Sequence, residues 1–141
     1  GDALRLTDGV LDFETKDSYS VQVRVTDSAS NSYAELLTVT VNDVNESPTD
    51  IAPDTFNLPD GTDTSGGTTI ASLTASDVDS GDTAAFTILP GNDGAFFTLG
   101  GADGNELVFD DGIVDEATKN LYTVNVRVVD SGSQATTRRF R

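Results

Sequence analysis

The chain alternates apolar and polar residues over several short stretches. Apolar side chains occupy every second position from residue 19 to residue 25, and the alternation returns over residues 37–41 and 122–128. A period of two is typical of a β-strand with one buried face. We therefore predict a strand with an apolar inner face in each of these stretches. Shorter apolar runs predict further strands at 68–75, 84–89, 95–99 and 106–109.

Turn signals separate these strands. Glycine follows Asp, Ser or Gly at Asp60-Gly61, Ser80-Gly81, Asp93-Gly94, Gly100-Gly101, Asp103-Gly104 and Asp111-Gly112. Such dipeptides favour tight turns because glycine accepts a positive φ. No stretch has the 3.6-residue spacing of an amphipathic helix. Many short strands about ten residues apart predict an all-β fold, an antiparallel Greek-key sandwich of the immunoglobulin-like type.

Two parts of the chain repeat each other. Residues 4–16 match residues 107–119, and residues 19–28 match 122–131, at a constant offset of 103 residues. A period near 100 residues predicts tandem domains of immunoglobulin size. We predict that residues 1–47 are the C-terminal part of one repeat with its linker, and that 48–141 form a nearly complete second repeat. The chain is thus expected to be a fragment of a longer protein. The coinciding pairs include Asp8/Asp111, Gly9/Gly112, Asp12/Asp115, Tyr19/Tyr122, Arg24/Arg127 and Asp27/Asp130.

Oxygen-bearing side chains concentrate around the stretch that joins the two copies. Three clusters occur: Asp12 with Glu14, Asp43 with Asn45 and Glu46, and Asp77 with Asp79. Carboxylates that crowd together repel each other, at a cost of about 1 kcal/mol per pair at 4 Å in water and more near a protein surface. A bound cation would relieve this repulsion. A site whose ligand atoms are all oxygen favours calcium over zinc or copper, which prefer nitrogen or sulfur ligands.

Composition narrows the function. The chain contains 19 Asp, 5 Glu and a formal net charge of −16, which argues against nucleic acid and anionic membrane surfaces as partners. It contains no His and no Cys, which excludes thiol nucleophiles, Cys/His zinc sites and histidine bases. No apolar run approaches 18 residues, so no membrane insertion is expected. We find no catalytic constellation and predict that the chain is not an enzyme.

These motifs resemble tandem cadherin repeats, in the divergent form found in large bacterial surface proteins. The family linker, Asp-x-Asn-Asp-x-x-Pro, is similar to residues 43–48, which are one residue shorter and have Glu46 at the second acidic place. The family element Leu-Asp-Arg-Glu resembles residues 11–14, and its Asp-x-Asp element resembles residues 77–79. The resemblance covers the whole chain and implies a cadherin-like β-sandwich.

The resemblance also implies calcium ions between consecutive repeats. The aspartate that closes a loop after one of the family's later strands resembles Asp27 in the first copy and Asp130 in the second. Asp82 lies in the loop of the Asp-x-Asp element but has no counterpart in the family pattern, so it is left outside the set. The implied metal ligands are Asp12, Glu14, Asp43, Asn45, Glu46, Asp77, Asp79 and Asp130.

The expected function is that of an extracellular or cell-surface adhesion module that calcium stiffens into a rod. Its expected partners are neighbouring repeats of the same protein, another cell-surface protein or polysaccharide, or a second copy through homophilic association. One alternative is a carbohydrate-binding module, which requires exposed aromatic rings on a sheet face, with Phe96 and Phe97 as candidates. Another is a passive spacer with no partner of its own.

Residues 1–47 pose a separate problem. They contain about three strands, which is too few to close a core. Three outcomes are open: partial disorder, pairing with another chain, or addition of these strands to the complete repeat.

Overall fold

A computed structural model describes residues 3–141. The chain separates into two compact units, one ending at Val44 and the other comprising Asn45–Arg141. None of the helical structure in the described residues is long and apolar enough to cross a membrane.

The first unit contains a β-hairpin. Strands β1 (Ser18–Thr26) and β2 (Ser32–Thr40) pair antiparallel along their whole length and form a two-stranded sheet of their own. Asp27 shapes the turn, because its Oδ1 accepts the backbone N–H groups of Ala29 and Asn31 at 2.9 and 2.8 Å. Hydrogen bonds from the side chain and backbone of Asn31 lower the pKa of Asp27.

The apolar face of this hairpin is exposed, so the prediction of a buried inner face is wrong for β1. Val21, Val23 and Val25 expose 38%, 42% and 62% of their surface. A two-stranded sheet has no second layer to cover its apolar side. The alternation therefore predicts the strand correctly. Burial of its valines would require a further segment packed over the apolar face, and the hairpin itself does not contain one.

The second unit is all-β and antiparallel, as predicted. Two three-stranded sheets have the orders β10-β9-β6 and β4-β8-β7, and β3 pairs with β5. A single 3₁₀ turn, Gly94–Phe96, precedes β7. The strands are β3 (Asp50–Ala52), β4 (Thr68–Ser72), β5 (Thr74–Ser76), β6 (Ala85–Ile88), β7 (Phe97–Gly100), β8 (Glu106–Phe109), β9 (Val124–Val129) and β10 (Ala135–Phe140).

The core of the second unit consists of aliphatic and phenylalanine side chains from β3, β7, β8, β9 and β10 and from two positions between strands. The inner face of β9 is fully buried, with Val124, Val126 and Val128 at 0% exposure. Each such side chain contributes roughly 1.5–3 kcal/mol through removal from water. The remaining buried members are Ile51, Leu73, Phe97, Leu107, Phe109, Val114 and Phe140.

Several predicted strands have different bounds in the structure: the strands expected at 37–41, 84–89 and 95–99 are Ser32–Thr40, Ala85–Ile88 and Phe97–Gly100. The single strand expected at 68–75 is divided at Leu73, which is 1% exposed, and its two parts belong to different sheets. The strand expected from residue 122 begins at Val124 instead. Before it, Asp93 Oδ2 accepts the backbone N–H of Thr123 at 2.8 Å, and the N–H of Asp93 donates to the Thr123 carbonyl at 2.9 Å. Strand β3, with three residues, was not predicted because it is too short to show a period.

The two copies of the internal sequence repeat form hairpins with the same strand register. Val21 pairs with Leu37 in the first unit, and the residues 103 positions later, Val124 and Phe140, pair with each other. The loops before the hairpins also correspond: Thr15 donates to Asp12 and Thr118 to Asp115. In both copies a lysine lies over a tyrosine ring, with Lys16 Nζ 4.0 Å from the centroid of Tyr19 and Lys119 Nζ 4.2 Å from that of Tyr122.

Tyr122 links the core to a turn. Its ring packs edge-on against Phe109 at a centroid distance of 4.7 Å, and its hydroxyl donates a hydrogen bond to Asp111 Oδ2. This hydrogen bond, together with burial and the nearby charge of Asp111, raises the pKa of Tyr122 to about 12. The protonated tyrosine is therefore favoured in the folded state.

The Tyr122→Phe variant tests this link. Loss of a hydrogen bond to a carboxylate should lower the free energy of unfolding by about 1.5 kcal/mol at neutral pH. In the wild type this contribution is complete below about pH 10, the unfolded tyrosine pKa, and falls as the pH rises towards 12 because only the unfolded tyrosine has lost its proton. Urea unfolding across pH 8–12 should show the wild type and variant converging. A constant difference in stability over that range would contradict the assignment.

Candidate metal centre

Three aspartates meet at the linker end of the second unit. Asp77 directly follows β5, Asp82 lies in the loop that leads to β6, and Asp130 directly follows β9. Each of the three offers a carboxylate oxygen within 4.8 Å of those offered by the other two.

Several carboxylate oxygens in this region are buried and unpartnered. Within the described residues, Asp77 Oδ2, Asp79 Oδ1 and Asp82 Oδ2 have no hydrogen-bond partner. A buried polar atom without a partner costs free energy, so such atoms generally indicate an ion or water that completes them. Three in one loop point to a cation.

The other oxygen of each of these aspartates is held in place by a donor. Asp77 Oδ1 accepts the N–H of Asp79 at 3.2 Å, and Asp79 Oδ2 accepts the N–H of Glu46 at 2.8 Å. Asp82 Oδ1 accepts the hydroxyl of Ser131 at 2.6 Å. These bonds fix the carboxylate orientations, so the unpartnered oxygens are presented in a defined arrangement.

Asp130 is the most buried member, at 7% exposure. Its Oδ1 accepts the N–H of Gln134 at 2.7 Å, and its Oδ2 accepts the side-chain amide of Asn45 at 3.0 Å. Gly132 permits this approach, because a Cβ built there would lie 1.9 Å from Asn45 Oδ1. The linker residue Asn45 is thereby tied to the hairpin turn of β9 and β10.

The charge of the cluster is not balanced by the ion pairs of the unit. Those pairs join Lys119 to Asp93 and Arg138 to Asp50 and Asp54, and they include none of the clustered acids. Carboxylates 4.8 Å apart near a protein surface repel by about 3 kcal/mol per pair. A divalent cation would convert this repulsion into attraction. Oxygen donors without nitrogen or sulfur suit a hard ion such as calcium, so the residues present fit calcium.

The predicted metal ligands are divided between the two units, and several of those in the second unit lie close together. In the second unit it brings Asp77 close to Asp130, links Asp79 to Glu46, and links Asn45 to Asp130. In the first unit, Asp12 accepts the hydroxyl and backbone N–H of Thr15 at 2.9 and 3.1 Å, which lowers its pKa. The side chains of Glu14 and Asp43 are exposed.

Asp82 is the main residue that the sequence argument omitted. The family pattern has no place for it, yet its carboxylate lies with those of Asp77 and Asp130. The available signal was its spacing: Asp77, Asp79 and Asp82 occur within six residues of one loop. Ser131 and Gln134, which orient the carboxylates, were also missed because their role depends on the hairpin turn.

The aromatic platform required by the carbohydrate alternative is not formed by Phe96 and Phe97. Phe97 is 5% exposed and packs against Phe109 with 5.0 Å between ring centroids. Phe96 is half-buried and meets Tyr122 edge-on at 6.0 Å. Within the described part of the second unit, no aromatic side chain is among the exposed large hydrophobic residues.

The antiparallel β-architecture agrees with the family that sequence comparisons show: this chain belongs to the cadherin family. The Fat-like cadherin-related tumor suppressor homolog of Drosophila melanogaster is 34% identical over 113 residues, covering 79% of this chain and 2% of that protein. Protocadherin Fat 2 of Rattus norvegicus is 33% identical over 129 residues, covering 88% of this chain and 3% of that protein. No family model matches the chain.

Solved structures agree on the fold. The extracellular cadherin domains 1–5 of protocadherin gamma B2 are 25% identical with a TM-score of 0.67, over 92% of this chain and 26% of that one. Mouse cadherin-23 EC22–24 has 19% identity and a TM-score of 0.65, over 92% of this chain and 43% of that one. The predicted β-sandwich is confirmed. The chain carries cadherin-domain sequence and fold, while an origin in a bacterial surface protein stays a prediction.

Proposed function

We propose that this chain is a calcium-binding adhesion and structural module of an extracellular multi-repeat protein. The observation that carries the proposal is the set of buried, unpartnered oxygens of Asp77, Asp79 and Asp82 in one loop. Two of these residues, Asp77 and Asp82, cluster with Asp130, and the ion pairs of the unit include none of the three. The cadherin-domain sequence and fold are consistent with it. The chain spans only 2–3% of the length of the curated relatives that it matches, so the activity of the whole protein is part of the proposal.

The central ligands are assigned to the second unit. Asp77, Asp82 and Asp130 supply carboxylate oxygens, and we add Asp82 to the set predicted from sequence. When bound, calcium supplies positive charge and accepts oxygen ligands. Ser131 and the backbone N–H groups of Glu46 and Gln134 hold the carboxylates in orientation, so little reorganisation is required. Asn45, through its bond to Asp130, fixes the start of the unit to the same turn.

The predicted ligands Asp12, Glu14 and Asp43 are assigned to calcium by their resemblance to the family motifs. With Glu46 and Asp79 they would bring acids of the preceding repeat and linker to the same ions. Calcium would then reduce the freedom of the linker and stiffen consecutive repeats into a rod. The expected affinity is that of extracellular modules, with dissociation constants of roughly 10⁻⁴–10⁻³ M.

Calorimetric titration of calcium into chelator-treated protein tests the proposal. The wild type should bind calcium, and Asp82→Asn should weaken binding at least tenfold, which is roughly the effect of losing one charged ligand interaction of 1.4 kcal/mol. The matched control is Asp103→Asn, which removes the same charge from the turn between β7 and β8. Absence of calcium-dependent heat in the wild type, or equal weakening by both variants, would overturn it.

Small-angle scattering separates calcium binding from stiffening. The wild type should become more extended and less flexible with calcium. The double variant Asp12→Asn/Glu14→Gln should still bind calcium through the second unit but should lose the change in scattering. Stiffening that survives in this variant would show that these two residues are wrongly assigned.

A further inference from the structure

The three-stranded sheet β10-β9-β6 has one face in the core and one face turned away from it. Val124, Val126 and Val128 of β9 are buried, so the residues between them lie on the outer face. Residues directly opposite each other on paired strands share a face, which extends this assignment to β6 and β10. The outer face consists of Ala85, Thr87, Asn125, Arg127, Val129, Ala135, Thr137 and Arg139.

This outer face is positively charged although the chain as a whole is acidic. Arg127 and Arg139 are both exposed, and no Asp or Glu occupies any position of the face. Arg139 lies two residues beyond Thr137, which is directly opposite Arg127. The two arginines are therefore diagonal neighbours, with Cα atoms about 7–8 Å apart. Their charges repel each other at that distance, and an anion placed between them is attracted by both.

The polar side chains of the outer face are free to bind a ligand. Within residues 3–141, neither arginine of the face takes part in an ion pair or a side-chain hydrogen bond. The other two cations of β10 and its neighbouring loop differ, because Lys119 and Arg138 both pair with aspartates. The side chains of Thr87, Asn125 and Thr137 also have no hydrogen-bond partner in the described part of the chain.

The first hairpin shows an equivalent arginine that has a partner. Arg24 corresponds to Arg127, and its guanidinium donates a hydrogen bond to the hydroxyl of Ser32 at 2.9 Å. Position 135, the counterpart of Ser32, is alanine, so Arg127 lacks this partner. The position of Arg139 is occupied by leucine in the first copy. The second unit thus has two free guanidinium groups where the first has one that is already bonded.

We propose that the outer face of the β10-β9-β6 sheet binds a sulfated polysaccharide. Guanidinium groups bind oxyanions through paired N–H donors, and Arg127 and Arg139 each bind a sulfate group in this way. The hydroxyls of Thr87 and Thr137 and the amide of Asn125 exchange hydrogen bonds with the sugar hydroxyls. This binding goes beyond the calcium site and does not depend on it.

The makeup of the face favours a polysaccharide over a folded protein. Its apolar residues are Ala85, Val129 and Ala135, and none of them is among the exposed large hydrophobic side chains. Protein partners generally bind through large side chains that fill pockets at the centre of an interface. A polysaccharide instead binds through charge and hydrogen bonds along an extended surface, which three adjacent strands supply. Binding of an acidic protein segment is therefore an outcome of the test.

The net charge of −16 does not prevent this binding. At physiological ionic strength the Debye length is about 8 Å, so charges further away are largely screened. Asp130, which directly follows β9, is three residues from Arg127, or about 10 Å along the strand. The local charge of the outer face therefore determines its attraction for sulfate.

Titration of the full chain with a sulfated hexasaccharide prepared from heparin tests the proposal. Chelator is present throughout, because sulfate and carboxylate oxygens of the sugar also bind calcium. NMR should show shifts of the backbone amides of Thr87, Asn125, Arg127 and Arg139. The double variant Arg127→Gln/Arg139→Gln should bind about tenfold more weakly, as expected for the loss of two exposed ion pairs. Its affinity should also depend less on salt, with a log–log slope smaller by about 1.5–2.

The matched control compares the two hairpins. Arg127→Gln alone should weaken binding about threefold, whereas Arg24→Gln, which removes the same charge from the first hairpin, should change it by less than about twofold. All of these arginines are exposed, so each variant should keep the wild-type melting temperature. Unshifted outer-face amides, or equal weakening by the two single variants, would rule out the site.

Two further probes test the class of ligand. The desulfated hexasaccharide should bind more weakly than the sulfated one, because the arginines lose their anions. Thr137→Val should weaken binding of the sulfated hexasaccharide but not of a glutamate hexapeptide, which has no sugar hydroxyls. A glutamate hexapeptide that binds as tightly as the sulfated hexasaccharide would overturn the assignment to polysaccharide in favour of an acidic protein segment.

Discussion

Replacing Val126 with Asp should unfold the second unit. Val126 lies in the middle of β9, is 0% exposed, and belongs to the cluster that includes Val124 and Val128. An ionised carboxylate there would have neither water nor a cation. Burial of an unpaired charge, together with the lost valine packing, should cost more than about 4 kcal/mol. That is a large fraction of the total stability of a typical domain, which is about 5–15 kcal/mol.

The matched control is Val23→Asp, at the corresponding position of the first hairpin. Val23 has the same register and sequence context but is 42% exposed. Its replacement should change the free energy of unfolding of the second unit by less than about 0.5 kcal/mol. Urea unfolding followed by circular dichroism, with NMR signals assigned to each unit, distinguishes the two. Similar losses in both variants would contradict the contrast in burial between the hairpins.

Calcium should raise the melting temperature of the second unit substantially. At a free calcium concentration one hundred times the dissociation constant, preferential binding to the folded state contributes about 2.7 kcal/mol. For a unit of this length, each kcal/mol raises the melting temperature by about 4–8 °C. With the expected dissociation constants, 10 mM calcium is roughly 10–100 times Kd, so calorimetry in 10 mM calcium against chelator should show an increase of roughly 6–20 °C.

The stability of the double variant Asp77→Asn/Asp82→Asn relative to the wild type should depend on calcium. In chelator it should be at least as stable as the wild type, because removal of two charges relieves the repulsion with Asp130. In calcium it should be less stable, because two ligands are lost. If Asp77 and Asp82 served only to form their turn, the double variant would lose the same stability in chelator and in calcium, and the assignment would be wrong. Asp103→Asn provides the control for a change in net charge alone.

The strands were predictable from the sequence, whereas the burial of their apolar faces was predicted correctly for β9 and wrongly for β1. The alternation around Val21 and Val124 identified both hairpins, and the 103-residue offset predicted that they are copies. The exposure of Val21 could not be predicted from its own strand, because burial depends on whether another layer of chain lies over it. The division of the 68–75 strand at Leu73 was missed for a related reason: one continuous apolar pattern can belong to two sheets.

The sequence predicts which acidic residues concentrate at the candidate metal centre, but it does not predict how their carboxylate oxygens are arranged. The linker motif and the Asp77–Asp79 element indicated where acids concentrate. Which oxygens are buried and unpartnered depends on donors such as Ser131 and on the absence of a side chain at Gly132. These are properties of the folded hairpin turn. The spacing of Asp82 from Asp77 and Asp79 shows that it shares their loop but not that its carboxylate meets that of Asp130.

The makeup of the core has a consequence for chemical durability. All ten residues of the buried core cluster are Val, Leu, Ile or Phe, and the whole sequence contains neither cysteine nor methionine. Oxidation of a thiol or thioether makes an apolar side chain polar and loosens the packing around it. The second unit has no sulfur atom for such a reaction, so peroxide at levels that damage sulfur-containing cores leaves this interior chemically unchanged.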